Sequence, residues 1–183
     1  MQLIVAQPSV YSDSAGVLAV KKDLLITPGT ILKVENLGTN INTDLPELRP
    51  TISADGKLLF FICQNHPENT KVNEVPNSQD IWFSEKDSLD RWSPAVHLGY
   101  PLNTYYYNAV FWISPDNNQI LIRNAFIHGD YLGNGLSMCH LNEEGLWSKP
   151  EMLRIRNYAK YDRGRQNGAV MGNNGRTLLF YMS

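Results

Sequence analysis

Three stretches of this chain repeat one pattern of polar and apolar positions. Each has a short β-prone run, then a polar turn, then an almost wholly apolar run. They are Pro50–Ile62 (PTISADGKLLFFI), Ala109–Ile122 (AVFWISPDNNQILI) and Ala169–Tyr181 (AVMGNNGRTLLFY). Leu58 to Cys63 is apolar without alternation, the pattern of a strand covered on both faces. Other anchors keep the same order. Leu37-Gly38 with Ile41-Asn42-Thr43 recurs as Leu98-Gly99 with Leu102-Asn103-Thr104, 61 residues later, and Ile52-Ser53-x-Asp55 recurs as Ile113-Ser114-x-Asp116 at the same offset. From Asn117 to Gly175 the offset is 58, and Arg91-Trp92-Ser93 is answered by Leu146-Trp147-Ser148 at 55.

Each unit parses into four strands, and the chain is predicted to be all-β. The first unit has Arg49–Ser53, Leu58–Cys63, Asp80–Ser84 and Ala95–Leu98. The second has Ala109–Ser114, Gln119–Arg123, Gly135–His140 and Glu151–Leu153. A third unit, from 169 to 183, carries two strands. Ile31–Leu37 reads as the fourth strand of a preceding unit, with Leu24–Thr27 as its candidate partner. Residues 1–30 form a separate N-terminal segment: MQLIVAQ is either a first strand or the end of a secretory signal, an apolar patch far too short to span a membrane and without a basic n-region. Gly56, Asn117 and Gly175 share one aligned turn position, where a positive φ is best tolerated. Asp55, Asp116 and Asn174 precede them and are placed to hydrogen-bond the turn backbone, a structural role rather than a catalytic or calcium-binding one. Trp92 and Trp147 read as packing anchors at the start of the outer strands.

Composition narrows the function classes. With 183 residues, 43% of them hydrophobic and 19% charged, the chain can bury one sizeable core. A formal net charge of −2 argues against a general nucleic-acid binder. Cys63 and Cys139 fit no metal-ligand spacing and read as buried free thiols. His66, His97, His128 and His140 are scattered, without an HExxH pair. There is no Gly-x-Ser-x-Gly elbow, no phosphate-binding glycine loop and no carboxylate pair suited to glycoside cleavage. No enzyme activity, cofactor or metal is therefore expected.

The motifs SADGKLLFF, SPDNNQILI and NNGRTLLFY, with LGTNINT, LGYPLNT, RWSPAVHLG and LWSKPEML, resemble the TolB-like (WD-like) β-propeller repeat. They are closest to the form found in bacterial cell-envelope proteins that often carry an OmpA-like domain. The resemblance covers about residues 31–183. It implies four-stranded antiparallel blades at 49–98 and 109–153 and an incomplete one at 169–183. That is about two and a half blades, where propellers close with four to eight; a fragment, a truncated product or a partial propeller completed by association would each account for the difference. The resemblance also implies an extracytoplasmic setting, periplasmic or at the outer membrane.

In such a meander alternate connections share a face. The long connections Gly38–Leu48, Gln64–Gln79, Gly99–Tyr107, Asn124–Asn134 and Arg154–Gln166 fall together, and long loops on a rigid scaffold are where binding usually lives. Two groups there are candidate binding residues. Tyr105, Tyr106 and Tyr107, with His128 and Tyr131, offer aromatic faces to sugars or a protein, or else pack between blades. RIRNYAKYDRGR places Arg154, Arg156, Lys160, Arg163 and Arg165 among Tyr158 and Tyr161, suited to carboxylates, phosphates or a nucleic-acid backbone; alternatively it is a solvated loop with Asp162 paired to a neighbour. The expected function is a non-catalytic binding or scaffold module of the envelope with protein or peptidoglycan partners. The alternative is a carbohydrate-binding or carbohydrate-active propeller. Open blade edges add the expectation of self-association.

Overall fold

A computed structural model of the chain describes residues 4–8, 32–71, 73–104, 107–162, 167–172 and 175–182. Two four-stranded antiparallel meanders form its centre. The first runs β3 (Glu47–Ile52), β4 (Leu58–Gln64), β5 (Gln79–Glu85) and β6 (Val96–His97), and the second β7 (Val110–Ile113), β8 (Gln119–Ile127), β9 (Asp130–His140) and β10 (Glu151–Met152). Each strand pairs with its neighbour in sequence. Before them, β1 (Ile4–Pro8) pairs with β2 (Leu32–Asn36); after them, β11 (Asn167–Gly172) pairs with β12 (Thr177–Met182). A single helical turn, α1 (Tyr158–Tyr161), interrupts this all-β arrangement among the described residues. No helix among them is long and apolar enough to cross a membrane.

The strands expected from the sequence recur with shifted ends, and one expectation is corrected. Asn124–Asn134 is not a long loop: β8 and β9 continue through it as a hairpin arm. Its tip is His128–Gly129, both with positive φ (52° and 88°), the geometry that matches strand twist in a two-residue turn. The partner of β2 is β1; Leu24–Thr27 lies outside the described residues.

The turns explain the repeat chemistry. Ser53 and Ser114 are buried, and each hydroxyl donates to the carboxylate two residues on, Asp55 and Asp116. The same hydroxyls accept from the backbone N–H that opens the next strand, Leu58 N at 2.9 Å and Gln119 N at 2.9 Å. Gly56, Asn117 and Gly175 have φ of 72°, 61° and 79°, so the aligned position demands a left-handed residue each time. The hydroxyl bond first, and then a backbone N–H, hold both carboxylates below their ordinary pKa.

The core is built between sheets. β4 sends Phe60 into a cluster with Ile113, Ile120, Ile122 and Phe126 of the second meander, and Leu59, Phe61 and Cys63 into another with Ile41 and Trp82. The unalternating run is thus buried on both faces. Trp147 packs on the first cluster, its ring 6.1 Å from Phe60, and Trp92 on the second. The two inner strands lie side by side, with Thr51 Oγ1 donating to Val110 O at 2.9 Å.

Asn103, buried in the repeated Leu-Asn-Thr segment, ties the sheets' connection to β5. Its Oδ1 accepts from Ile81 N at 2.7 Å and its Nδ2 donates to Ile81 O at 2.9 Å, copying a strand partner. Asn103→Ala strips the Ile81 N–H of its acceptor in a buried place, and is expected to cost about 1–3 kcal/mol in denaturant unfolding. An unchanged midpoint would show that water replaces the side chain.

Both cysteines are free and buried. Burial, then the negative charge of Glu47, raises the Cys63 thiol from 9.0 to about 11; burial raises Cys139 to about 12. Both thiols are expected to resist a thiol reagent at about pH 8 until the chain unfolds. Above the unfolded value of 9.0 the unfolded chain loses protons the folded one keeps, so stability should fall from there to about 12. Fast native-state labelling, or flat stability across that window, would contradict the burial.

Candidate functional site

On the long-loop side, β8 places Arg123 where the first repeat has the buried Ile62. The strand is irregular here. Asn124 has φ 78°, and the register with β9 shifts on either side of Ala125. Ser137 repairs the broken ladder: its hydroxyl donates to Asn124 O at 2.9 Å and accepts from Phe126 N at 3.1 Å. Gly135 is required opposite, because a Cβ there would stand 2.6 Å from that of Ala125.

The bulge supports a cluster of arginine and tyrosine. The Arg123 guanidinium lies 5.8 Å from the centre of the Tyr107 ring. Tyr107 is itself fixed, donating its hydroxyl to Pro76 O at 3.0 Å while its carbonyl accepts from Asn124 Nδ2 at 3.1 Å. Arg123 Nε is buried and has no acceptor among the described residues. Burial first, and then the like charge of Arg49, push the Arg123 pKa below its ordinary value, while Tyr131, Tyr107 and Tyr158 act in the opposite sense. Arg49 reaches this place because the β3 bulge gives it φ 50°, and its guanidinium lies 5.8 Å from the Phe111 ring centre. Two cations held near each other in a partly dry place favour an anion between or beside them.

The candidate residues of the sequence divide around this cluster. Tyr107 and Tyr131 are brought to Arg123, although Tyr131 also packs on the core, 6.0 Å from Phe126. Arg154 and Arg156 line a cleft of about 460 Å³ with Asn134, Met152 and Tyr158. Tyr158 belongs to both places, since it also acts on Arg123. His128 is not gathered in. It sits exposed at the hairpin tip, its Nδ1 3.2 Å from Glu151 Oε1, which also accepts from His128 N at 3.0 Å. Tyr105, Tyr106, Arg163 and Arg165 lie outside the described residues.

Arg49 and Arg123 were not singled out from the sequence. The signal for Arg123 was present, because the repeat alignment sets it against Ile62 in an otherwise apolar strand. Arg49 had no such mark; only the fold of β3 beside β7 brings it close.

A second polar group lies under the 65–78 connection. Asp80 Oδ2 accepts from Thr70 N at 2.6 Å and is 2.8 Å from His97 Nε2, and Oδ1 accepts from Asn108 Nδ2 at 3.0 Å. Trp82 lies between the rings of His66 and His97, at 4.2 and 5.3 Å, and its Nε1 donates to Asn69 Oδ1 at 3.1 Å. Asn69 in turn donates to Cys63 O at 2.8 Å. An Asp–His pair can serve as an acid–base dyad, but here both Asp80 oxygens are occupied by partners from three elements. This is a strut that fixes a long loop.

Among the described residues no three His, Cys, Asp or Glu side chains converge to hold a metal. No family model, curated protein or solved structure matches the chain.

Arg123→Met removes a desolvated cation lacking an Nε acceptor and facing another cation, while keeping most of the stem's packing. Stability in denaturant should stay level or rise, the sign seen when a group is held for binding rather than folding. A loss of more than about 1 kcal/mol would assign Arg123 to structure instead.

Proposed function

We propose that the four-stranded meanders are blades of a β-propeller and that the protein is a non-catalytic binding and scaffold module. Its long-loop side takes an anionic group of a protein or cell-wall partner. One observation carries this reading: the Arg123 guanidinium, held over Tyr107 and within the electrostatic reach of Arg49, with a buried Nε that no described residue accepts from. Charge-assisted bonds to a carboxylate or phosphate would satisfy that group and relieve its repulsion with Arg49. The neighbouring cleft with Arg154, Arg156 and Tyr158 extends the same chemistry, a cationic surface with aromatic faces. The propeller reading is supported by the repeat of the meander and by its inner strands lying side by side. The bacterial envelope setting, periplasmic or at the outer membrane, rests on the likeness of the repeat motifs to TolB-like proteins.

Cell-wall muropeptides supply free carboxylates, and neutral N-acetylglucosamine oligomers supply the sugar without them. By calorimetry, muropeptides should bind with an affinity that falls with salt, and Arg123→Met should weaken binding about tenfold or more. Glu143→Ala, in a turn on the opposite side, should leave it unchanged. Equal binding of the neutral oligomers, insensitive to Arg123, would replace the anion reading with the carbohydrate one. Absence of binding to muropeptides and to an acidic peptide alike would remove it.

A further inference from the structure

The cleft beside the arginine–tyrosine cluster arises from the way β10 leaves its sheet. β10 pairs with β9 only through Glu151 and Met152, and one further bond runs from Leu153 N to Leu136 O at 2.8 Å. Beyond Leu153 the chain swings away. Tyr158 N donates to Ile155 O at 3.2 Å and Asn157 takes φ 64°, so the segment turns into α1 instead of continuing along β9. β9 itself begins at Asp130, and its outer edge before Leu136 carries no strand among the described residues. The resulting opening of about 460 Å³ is lined on the β9 side by Asn134 and on the side of the departing segment by Met152, Ile155 and Tyr158, with the exposed Arg154 and Arg156.

Charge and position both fit this cleft to an acid. Neither Arg154 nor Arg156 makes an ion pair among the described residues, and Glu151, the carboxylate nearest to them in sequence, is taken up by His128. Met152 and Ile155 are half-buried, so the cations stand over an apolar floor. Arg123 is close by. It stands opposite Leu136 in the β8–β9 register, and Leu136 is the residue that accepts from Leu153 N. Arg123, Leu136 and Leu153 therefore form one row across the sheet. With strands about 4.8 Å apart, the backbone of Arg123 lies roughly 10 Å from that of Leu153. Tyr158, which lines the cleft, is near enough to act on the Arg123 charge.

We propose that this cleft is a second anion subsite and that the ligand is an extended acidic peptide with two carboxylates. One carboxylate meets Arg123, the other meets Arg154 and Arg156, and an apolar side chain between them rests on Met152 and Ile155. The inference rests on the anion reading above and deepens it. Cationic places roughly 10 Å apart suit carboxylates two or three residues apart, because an extended chain rises about 3.3 Å per residue. A single small anion would answer either place and leave the apolar floor bare, and a polyphosphate would gain nothing from that floor. A peptide uses all three, and its backbone also finds the unpaired edge of β9 at Asn134.

The probes are the peptides Glu-Leu-Glu and Glu-Leu-Leu-Glu, blocked at both ends and titrated by calorimetry into the whole chain. The better binder should lose about tenfold or more in affinity when either glutamate becomes glutamine, and a comparable factor when its leucine becomes serine. A chain carrying Arg154→Gln and Arg156→Gln should weaken the same peptide about tenfold. That loss should be non-additive with one of the two glutamine replacements, and the loss from Arg123→Met with the other. Because the ligand is varied as well as the protein, the outcome does not depend on how any variant folds. A dicarboxylate that binds no tighter than its single-glutamine forms, or that ignores Arg154 and Arg156, would overturn the second subsite and leave anion binding at Arg123 standing. Binding that is lost with Arg154 and Arg156 yet unchanged in Arg123→Met would overturn the bridging ligand and the Arg123 reading together, as would no binding of either peptide or of muropeptides.

Discussion

Burial on both faces of the second strand of each unit is the constraint on which the architecture depends. β4 is apolar from Leu58 to Cys63 and β8 on either side of Arg123 and Asn124, so a meander standing alone would leave one face of its central strand in water. At about 25 cal/mol per Å² of apolar surface, several exposed Leu, Ile and Phe side chains forfeit many kcal/mol. A sheet of this kind is stable only between neighbours. The cluster joining Phe60 to Ile120 and Ile122 is the contact that meets the demand, and Trp147 seals its rim. β12 also carries an apolar run, yet its Leu179, Phe180 and Tyr181 remain exposed.

Polar residues then decide how the sheets stack. The buried serine of each tight turn bonds both a carboxylate and the next strand's first N–H, fixing where the apolar run begins. Asn117 Nδ2 donates to Asp55 Oδ2 at 3.2 Å, linking the turns of adjacent sheets. On the other side, Asn103 and Asp80 anchor the long connections to β5. Apart from the exposed Asn117–Asp55 bond, these are buried or half-buried, where leaving them unmade would be expensive. The long loops are therefore held firmly, which suits a side that must present groups in fixed positions.

Against that background Arg123 departs from the pattern of its own repeat. A position that in the first repeat holds a buried isoleucine carries a guanidinium with an orphaned Nε, on a strand bent by a bulge and repaired by Ser137. The surrounding structure accommodates this cost rather than removing it. Such a local violation of an otherwise consistent design is the observation on which the anion-binding proposal rests.

Much of the fold was legible in the sequence because it is written in periodic, local terms. The apolar runs, the Ser-x-Asp turns and the spacing of the Leu-Asn-Thr segments recur, and each acts over a few residues, so all-β units of four strands followed from them. The hairpin through 124–134 was missed because its tip, His128–Gly129, lies beyond a bulge that breaks the alternation expected of a strand. The site was legible only in fragments. Tyr107, Arg154 and Arg156 were visible as residue types suited to binding, while His128 proved to be a surface pair with Glu151. The like-charge influence of Arg49 on Arg123 was decided by tertiary structure alone, for one lies on β3 and the other on β8. Electrostatic proximity between distant strands depends on how sheets stack, and no local pattern encodes it.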